Sequence, residues 1–203
     1  MNKSSKLLFK NTAIYKKSCT SISDLPLSNN PEACIAGRSN SGKSRLVNAI
    51  TNNKNLAHTS STPGRTRLIN YYDVSGKLWL VDLPGYGYAR APRSEIKFWT
   101  KLVLDYLKVR VNLRRTFLLI DIRRGIMKND EQMLSTLDKA AISYQIVLTK
   151  ADKINNSEVS RKIINIRSIL ERRPAAHPQI LLTSARTGYG IEDIRKELAS
   201  IIS

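Results

Sequence analysis

The sequence has no uninterrupted apolar stretch as long as the roughly 18 residues that a membrane-spanning helix requires. Its opening segment, MNKSSKLLFKNTAIYKK, also lacks the apolar block of a signal peptide. Cysteine is scarce as well: there are only Cys19 and Cys34, and Cys34 lies in an apolar run where a small buried side chain is the simplest interpretation. We therefore expect a cytoplasmic protein without a membrane span, and we assign the cysteines no chemistry.

Acidic residues are few, since 16 Asp and Glu stand against 34 Lys and Arg and give a formal net charge of +18. A charge of this size attracts polyanions and raises their rate of encounter. A protein that needed only solubility would gain more from acidic side chains, so nucleic acid is the favoured partner class. An anionic membrane surface is the weaker alternative, because no strongly amphipathic basic helix stands apart from the core pattern.

Strand-like apolar runs alternate with helical patterns along most of the chain. The strand-like runs are 33–36, 68–74, 78–82, 117–120, 145–148 and 179–182, and the helical patterns cover 43–51, 99–106, 131–140, 159–170 and 191–201. This alternation predicts an α/β fold: a doubly wound, mostly parallel six-stranded sheet flanked by helices, in a single domain of residues 31–203. Residues 1–30 are polar and basic, and we expect them to form an N-terminal arm.

A glycine-rich segment follows the first predicted strand and precedes the first predicted helix. It reads GRSNSGKS and matches the G-x-x-x-x-G-K-S pattern of P-loop NTPases in the structural context that the pattern requires. Backbone N–H groups of such a loop surround a phosphate at a helix N-terminus. Lys43 is predicted to contact the β and γ phosphates, and Ser44 to coordinate Mg²⁺. The predicted phosphate-binding residues are Gly37, Arg38, Ser39, Asn40, Ser41, Gly42, Lys43 and Ser44.

A second motif, DLPG, ends the strand-like run 78–82. Its Asp82 is placed to reach the metal ion, usually through water, and Gly85 to donate its N–H to the γ phosphate. The preceding segment is rich in Ser, Thr and Gly and should supply a second hydroxyl to Mg²⁺; we choose Thr66 for this role, with Thr62 as the rival. The predicted contacts in this region are Gly64, Arg65, Thr66, Arg67, Leu68, Asp82, Leu83, Pro84 and Gly85.

A third motif, TKAD, follows the strand-like run 145–148. Its carboxylate, Asp152, can accept hydrogen bonds from N1–H and the 2-amino group of guanine, a donor pair that adenine lacks. The stem of Lys150 should lie along the base plane, and residues 183–185 should donate backbone N–H to the guanine oxygen. The predicted contacts to the base of GTP or GDP are Thr149, Lys150, Ala151, Asp152, Thr183, Ser184 and Ala185.

Together these motifs resemble the translation-factor-like class of P-loop GTPases and, more narrowly, the EngB family, also called YsxC or YihA. The resemblance rests on GRSNSGKS (37–44), TPGRT (62–66), DLPGYGYA (82–89) and TKAD (149–152), with DIRRG (121–125) and SARTGYGI (184–191) in support. Thr149 stands where Ras-like enzymes have the Asn of NKxD, and residues 183–185 are a variant of the family's fifth motif. The resemblance implies a GTPase that assists assembly of the large ribosomal subunit, in some members with a link to cell division or septation.

Hydrolysis requires a positioned water molecule and neutralisation of charge on the phosphate oxygens. Ras-like enzymes carry a Gln directly after DxxG, but Tyr86 at this position cannot orient water as an amide does, so intrinsic hydrolysis should be slow. We hypothesise that Asn40 helps to hold a K⁺ ion, as described for related GTPases, which together with a partner surface replaces the missing groups. The other interpretation is that Asn40 only shapes the loop. The predicted catalytic residues are Lys43, Thr66 and Asn40.

Other functions fit parts of this pattern. A P-loop enzyme that uses ATP is disfavoured by TKAD, and a tRNA-modifying GTPase by the lack of room for a further catalytic domain. A nucleotide-gated RNA-binding module with little hydrolysis remains the alternative, because Tyr86 replaces the Gln. The expected macromolecular partner is a precursor of the large ribosomal subunit or ribosomal RNA, and a monomer is the default state.

Overall fold

A computed structural model describes residues 3–58, 68–87 and 92–202. These residues form one seven-stranded sheet in the order β1-β3-β4-β2-β5-β6-β7. The strands are β1 (Ile14–Cys19), β2 (Glu32–Gly37), β3 (Ile69–Val74), β4 (Leu78–Asp82), β5 (Leu113–Asp121), β6 (Tyr144–Thr149) and β7 (Leu181–Leu182). Strand β3 is antiparallel to both of its neighbours, and every other neighbouring pair is parallel.

Helices cover both faces of the sheet. They are α1 (Lys3–Leu8), α2 (Lys43–Thr51), α3 (Arg93–Val109), α4 (Lys128–Lys139), α5 (Asn156–Leu170) and α6 (Ile191–Ser200), with 3-10 turns at Ile22–Asp24 and Ala151–Lys153. In the ranges that the structure describes, none of the helices combines the length and the apolar character needed to cross a bilayer.

Successive residues of the central strands pack on opposite faces, as the pleat of a strand requires. In β2, Ala33 and Ile35 belong to the same hydrophobic cluster as the apolar side chains of α1, α2 and α6, whereas Cys34 and Ala36 belong to the cluster that contains those of α3, α4 and α5. Both faces of β2 are therefore buried, which explains its continuous apolar sequence. Both cysteines are buried and free, and burial raises the pKa of the Cys34 thiol to about 12.

The sheet has one strand more than the six that the sequence predicts. The additional strand, β1, lies in the predicted N-terminal arm and pairs with β3 at the edge of the sheet. An edge strand is held mainly by backbone hydrogen bonds, and four of the six β1 residues are exposed, so β1 carries no apolar alternation that a sequence pattern could detect. The boundary at residue 31 stays a prediction, but residues on its N-terminal side take part in the sheet.

Candidate functional site

The glycine-rich segment forms a loop at the carboxyl end of β2, directly before α2. Asn40 and Gly42 both adopt left-handed backbone conformations, with φ of 64° and 102°. A Cβ atom built on Gly37 would lie 2.7 Å from Ser41 Oγ and 2.9 Å from the Leu119 carbonyl oxygen. The tight turn therefore requires glycine at position 37, as a loop that wraps around a small anion does.

Lys43 is the first residue of α2, and its side chain folds back into the loop. Its Nζ donates to the carbonyl oxygens of Gly37 at 3.2 Å and of Arg38 at 3.4 Å, and only 7 % of the residue is exposed. Burial lowers the pKa of Lys43, and the nearby carboxylate of Asp82 acts in the opposite direction. Such a buried ammonium group favours the arrival of an anion in the loop. Ser44, the next residue of α2, is partly exposed.

Asp82 ends β4 beside this loop, and in the sheet it pairs with Ile35 of β2. Only 1 % of the residue is exposed, and its Oδ1 has no hydrogen-bond partner among the described residues. Burial raises its pKa to about 6, although the charge of Lys43 acts to lower it. A buried carboxylate oxygen without a partner, close to the hydroxyl-bearing start of α2, fits the oxygen ligands and bound waters that Mg²⁺ prefers. These residues therefore suit the predicted metal.

The segment after Asp82 lies against the glycine-rich loop. Ser39 donates its backbone N–H to the Tyr86 carbonyl at 2.9 Å, and a Cβ built on Gly85 would be only 2.8 Å from Lys43 Nζ. The Tyr86 hydroxyl donates to Asp130 Oδ1 at 2.7 Å. Burial and the Asp130 carboxylate raise the pKa of Tyr86 well above its usual value. Its hydroxyl is thus protonated and engaged by Asp130.

Asp130 is a residue that the sequence analysis did not identify. It lies in the first turn of α4, where its Oδ2 accepts the Met127 backbone N–H at 2.9 Å. Burial raises its pKa, although the hydrogen bonds from Tyr86 and Met127 oppose this effect. The partnership joins residues 44 positions apart, so no local pattern predicts it.

The TKAD segment approaches the same loop from β6. Thr149 Oγ1 donates to the Ser41 carbonyl at 2.8 Å, and Lys150 Nζ donates to the Asn40 carbonyl at 2.7 Å. Lys150 has a left-handed backbone conformation with φ of 61°, which turns the chain out of the sheet toward Asp152. The phosphate-loop and base-recognition motifs are therefore in direct contact.

Asp152 is oriented by the segment that follows β7. Ser184 Oγ donates to Asp152 Oδ1 at 2.7 Å, and the Ala151 backbone N–H donates to the Thr183 carbonyl at 3.0 Å. The Ser184 hydrogen bond is the main cause that lowers the pKa of Asp152, which is therefore ionised at neutral pH. An ionised, oriented carboxylate can accept the paired donors of a guanine edge.

Gly190 fixes the end of the 183–190 segment at the start of α6. Its φ is 72°, and a Cβ built on it would lie only 2.0 Å from the Leu182 carbonyl oxygen. Next to it, the Ser184 backbone N–H donates to the Tyr189 carbonyl at 3.0 Å. The glycine thus allows the chain to close behind Ser184 and to hold its hydroxyl toward Asp152.

The predicted site segments that the structure describes meet at the carboxyl ends of the strands. Residues 37–44 follow β2, 82–85 follow β4, 149–152 follow β6, and 183–185 follow β7. Leu68 is partly buried just before β3. The predicted contacts Thr62, Gly64, Arg65, Thr66 and Arg67 lie outside the described residues, so the second metal hydroxyl stays a prediction.

Comparisons with known proteins agree with this geometry. A family model described as "50S ribosome-binding GTPase" matches residues 32–150. The chain is 47 % identical over 199 residues to a probable GTP-binding protein EngB of Hyphomonas neptunium, covering 97 % of this chain and 90 % of that protein. It is 49 % identical over 202 residues to the corresponding protein of Sinorhizobium fredii, covering 95 % and 93 %. The chain belongs to the EngB family. It is a P-loop GTPase that binds guanine nucleotide and hydrolyses GTP.

Solved structures share the EngB fold. A crystal structure of a probable GTP-binding protein EngB superposes with a TM-score of 0.68 and 23 % identity, covering 84 % of this chain and 98 % of that one. A structure of Era with MgGDPNP and nucleotides 1506–1542 of 16S ribosomal RNA has the same TM-score at 19 % identity, covering 85 % and 57 %. At these identities the likeness concerns the fold.

Proposed function

We propose that this EngB-family GTPase is a cytoplasmic switch in the assembly of the large ribosomal subunit, and that its loss impairs cell division or septation. The proposal is carried by a single arrangement: a buried ammonium group in a phosphate loop and an ionised carboxylate aimed at a purine edge occur on a strongly basic protein. The first two features suit GTP, and the formal net charge of +18 suits ribosomal RNA. The family description names the 50S ribosome as a partner of this class.

The nucleotide is assigned to the edge of the sheet where the four segments meet. Lys43 and the loop N–H groups bind the β and γ phosphates, Asp152 binds the guanine edge, and the stem of Lys150 lies along the base. Ser44 is assigned as a ligand of Mg²⁺, with Thr66 as the second hydroxyl. When bound, Mg²⁺ would supply positive charge that neutralises the phosphate oxygens, and Asp82 at the buried end of β4 would hold the ion through water.

Intrinsic hydrolysis is expected to be slow, because Tyr86 has neither the amide of a Gln nor a free hydroxyl. Its O–H group is directed to Asp130 and its carbonyl accepts the Ser39 N–H. We assign Asn40, which is exposed on the loop, to help hold a K⁺ ion that compensates in part. Turnover in KCl should then exceed turnover in NaCl at equal ionic strength, and more so with large ribosomal subunits present. Equal rates that do not depend on subunits would exclude this role of Asn40.

Binding to ribosomal particles tests the proposed partner. The chain should sediment with purified large-subunit precursors when loaded with a nonhydrolysable GTP analogue and should dissociate when loaded with GDP. Its binding should weaken steeply as salt increases, because Lys and Arg contacts to phosphate release counterions. Binding that is independent of the nucleotide and equal for any RNA would contradict a switch in subunit assembly. Analytical ultracentrifugation of the free protein tests the expected monomer.

The engaged Tyr86 hydroxyl also favours a second function, a nucleotide-gated RNA-binding module with little hydrolysis. Single-turnover hydrolysis of bound GTP separates the two. Release of phosphate that accelerates on large-subunit particles supports the working switch, whereas a bound nucleotide that stays GTP on the particles supports the gated module.

A further inference from the structure

Asp121, the last residue of β5, is a buried carboxylate with no part in the nucleotide contacts proposed above. It pairs with Thr149 of β6 in the sheet, and only 8 % of the residue is exposed. Its Oδ1 accepts Arg123 Nε at 2.9 Å, and its Oδ2 accepts Arg123 Nη2 at 2.6 Å. Oδ2 also accepts Lys150 Nζ at 2.9 Å. The carboxylate therefore links the end of β5 to the TKAD segment.

The Lys150 ammonium group that binds Asp121 also binds the phosphate loop. It donates to the Asn40 carbonyl at 2.7 Å, while Thr149 Oγ1 holds the next carbonyl, that of Ser41, at 2.8 Å. In a planar trans peptide the C=O and the following N–H point in opposite directions. A Ser41 carbonyl held on the outside of the loop thus turns the Gly42 N–H toward the inside, where the phosphates are expected.

This support is needed because Asn40 has a left-handed conformation that a residue with a side chain adopts at a cost. Lys150 has a long, flexible side chain and, unaided, would spend part of its time in solvent. Asp121 is well suited to hold it: burial acts to raise its pKa, but the hydrogen bonds from Arg123 and Lys150 outweigh burial and hold the pKa far below its usual value. The carboxylate stays charged throughout the physiological range.

We propose that Asp121 is a positioning residue for nucleotide binding, which holds the Lys150 ammonium on the Asn40 carbonyl and thereby joins the base-recognition segment and the phosphate loop into one rigid unit. The inference rests on the proposed placement of the nucleotide over residues 37–44 and 149–152. It predicts that guanine nucleotides lose affinity when Asp121 is changed, although Asp121 does not touch them.

The chain offers a matched control. Asp138 is also a poorly exposed aspartate paired with an arginine, since its Oδ2 accepts Arg173 Nη1 at 2.8 Å and its Oδ1 accepts the Tyr144 hydroxyl at 3.1 Å. Tyr144 is the first residue of β6, so this pair lies at the amino end of the strand, whereas the site lies at the carboxyl ends of the strands. Asp138→Asn removes a comparable ion pair without reaching the loop.

The test measures GDP affinity by titration calorimetry and Tm by differential scanning calorimetry for the full chain. Asp121→Asn should weaken GDP binding by about tenfold or more, because a neutral amide does not hold the Lys150 ammonium with a hydrogen bond between charged groups. Asp138→Asn should lower Tm and leave GDP affinity unchanged. If Asp121→Asn does not fold, Asp121→Glu and Asp138→Glu serve as the pair, because the longer side chain keeps the charge but displaces it from Lys150.

A double-mutant cycle separates positioning from general stability. Lys150→Met should cost much less GDP affinity in the Asp121→Asn background than in the wild type, because the two residues act through one contact. Additive losses, or an Asp121→Asn protein that binds GDP as the wild type does, would refute the role of Asp121. A wild-type chain that binds no guanine nucleotide would instead refute the proposed site itself.

Discussion

Asp82→Asn is expected to stabilise the nucleotide-free protein while it weakens the magnesium dependence of GTP binding. Asp82 is buried beside Lys43, and its Oδ1 has no partner among the described residues. The ionised carboxylate therefore costs folding free energy that bound Mg²⁺ and its waters would recover. The ionised Asp82 thus lowers the stability of the nucleotide-free protein, but it provides a carboxylate for a bound cation.

The size of this cost follows from the pKa. Burial raises the pKa of Asp82 from 3.8 to about 6 in the folded state, with Lys43 acting against it. Each pKa unit corresponds to about 1.4 kcal/mol, so the ionised side chain costs about 3 kcal/mol at neutral pH. Replacing Asp82 by Asn removes this cost of about 3 kcal/mol, but the buried amide has an unpaired group of its own that costs about 1–2 kcal/mol. A net gain of about 1–2 kcal/mol corresponds to a Tm increase of about 2–8 °C.

The sign of the pH dependence follows from proton binding. Between the unfolded and folded pKa values the folded state binds more protons than the unfolded state, so the contribution of Asp82 to stability falls as pH rises through this window. Relative to Asp82→Asn, the wild type should lose about 2 kcal/mol between about pH 4.5 and about pH 7.5. Above the folded pKa the difference should be constant.

The assay is urea unfolding of both proteins in EDTA across this pH range, together with GTP-analogue affinity with and without Mg²⁺. Asp193→Asn is the control, because Asp193 is exposed and forms an ion pair with Lys196 on the surface of α6, so this substitution removes a carboxylate without changing a buried one. In the wild type, the effect of Mg²⁺ on affinity should fade as pH falls below about 6, as Asp82 becomes protonated. An Asp82→Asn protein that is less stable than the wild type at every pH would refute this reasoning.

Three further substitutions test other parts of the site. Ser184→Ala should weaken GDP binding by about tenfold with little change in Tm, because Asp152 loses the hydrogen bond that orients it; unchanged affinity would contradict that role. Gly190→Ala should cost about 3 kcal/mol or more in urea unfolding, since its Cβ would overlap the Leu182 carbonyl, and a neutral result would show that the segment can shift. Tyr86→Phe should lower stability by about 1–3 kcal/mol and leave intrinsic GTP hydrolysis unchanged, because the lost hydroxyl serves Asp130; a large fall in single-turnover rate would assign it to catalysis.

The sequence predicts those parts of the site that depend on local geometry. The loop at 37–44 needs glycine at its turn, a lysine at the helix start and a hydroxyl after it, and these requirements fall within eight consecutive positions. The central strands can also be predicted locally, because residues 33–36 of β2 and 117–120 of β5 are buried and form uninterrupted apolar runs. The family resemblance was confirmed for the same reason: the motifs that carry it are short and contiguous.

What the sequence did not predict depends on contacts across the fold. Strand β1 is exposed on its edge and leaves no periodic signal, so the sheet was predicted one strand short. Asp121 lies in the DIRRG stretch that supported the family resemblance, but its bond to Lys150 joins residues 29 positions apart. Asp130 and Tyr86 are farther apart still. Each pairing exists only once the carboxyl ends of the strands meet at one edge.

The engaged state of Tyr86 limits how a partner could accelerate hydrolysis. Its carbonyl accepts from Ser39 and its hydroxyl donates to Asp130, so two hydrogen bonds hold the segment in which Ras-like enzymes carry their water-orienting Gln. A ribosomal particle that speeds hydrolysis must therefore either supply a water-orienting group itself or move Tyr86 away from Asp130. The two routes differ in Tyr86→Phe, which lacks the hydrogen bond to Asp130. If the particle supplies the water-orienting group, the intrinsic and the stimulated rates should both match the wild type. If the particle acts by releasing Tyr86, the intrinsic rate of Tyr86→Phe should instead rise toward the stimulated rate, because the bond to be broken is already absent.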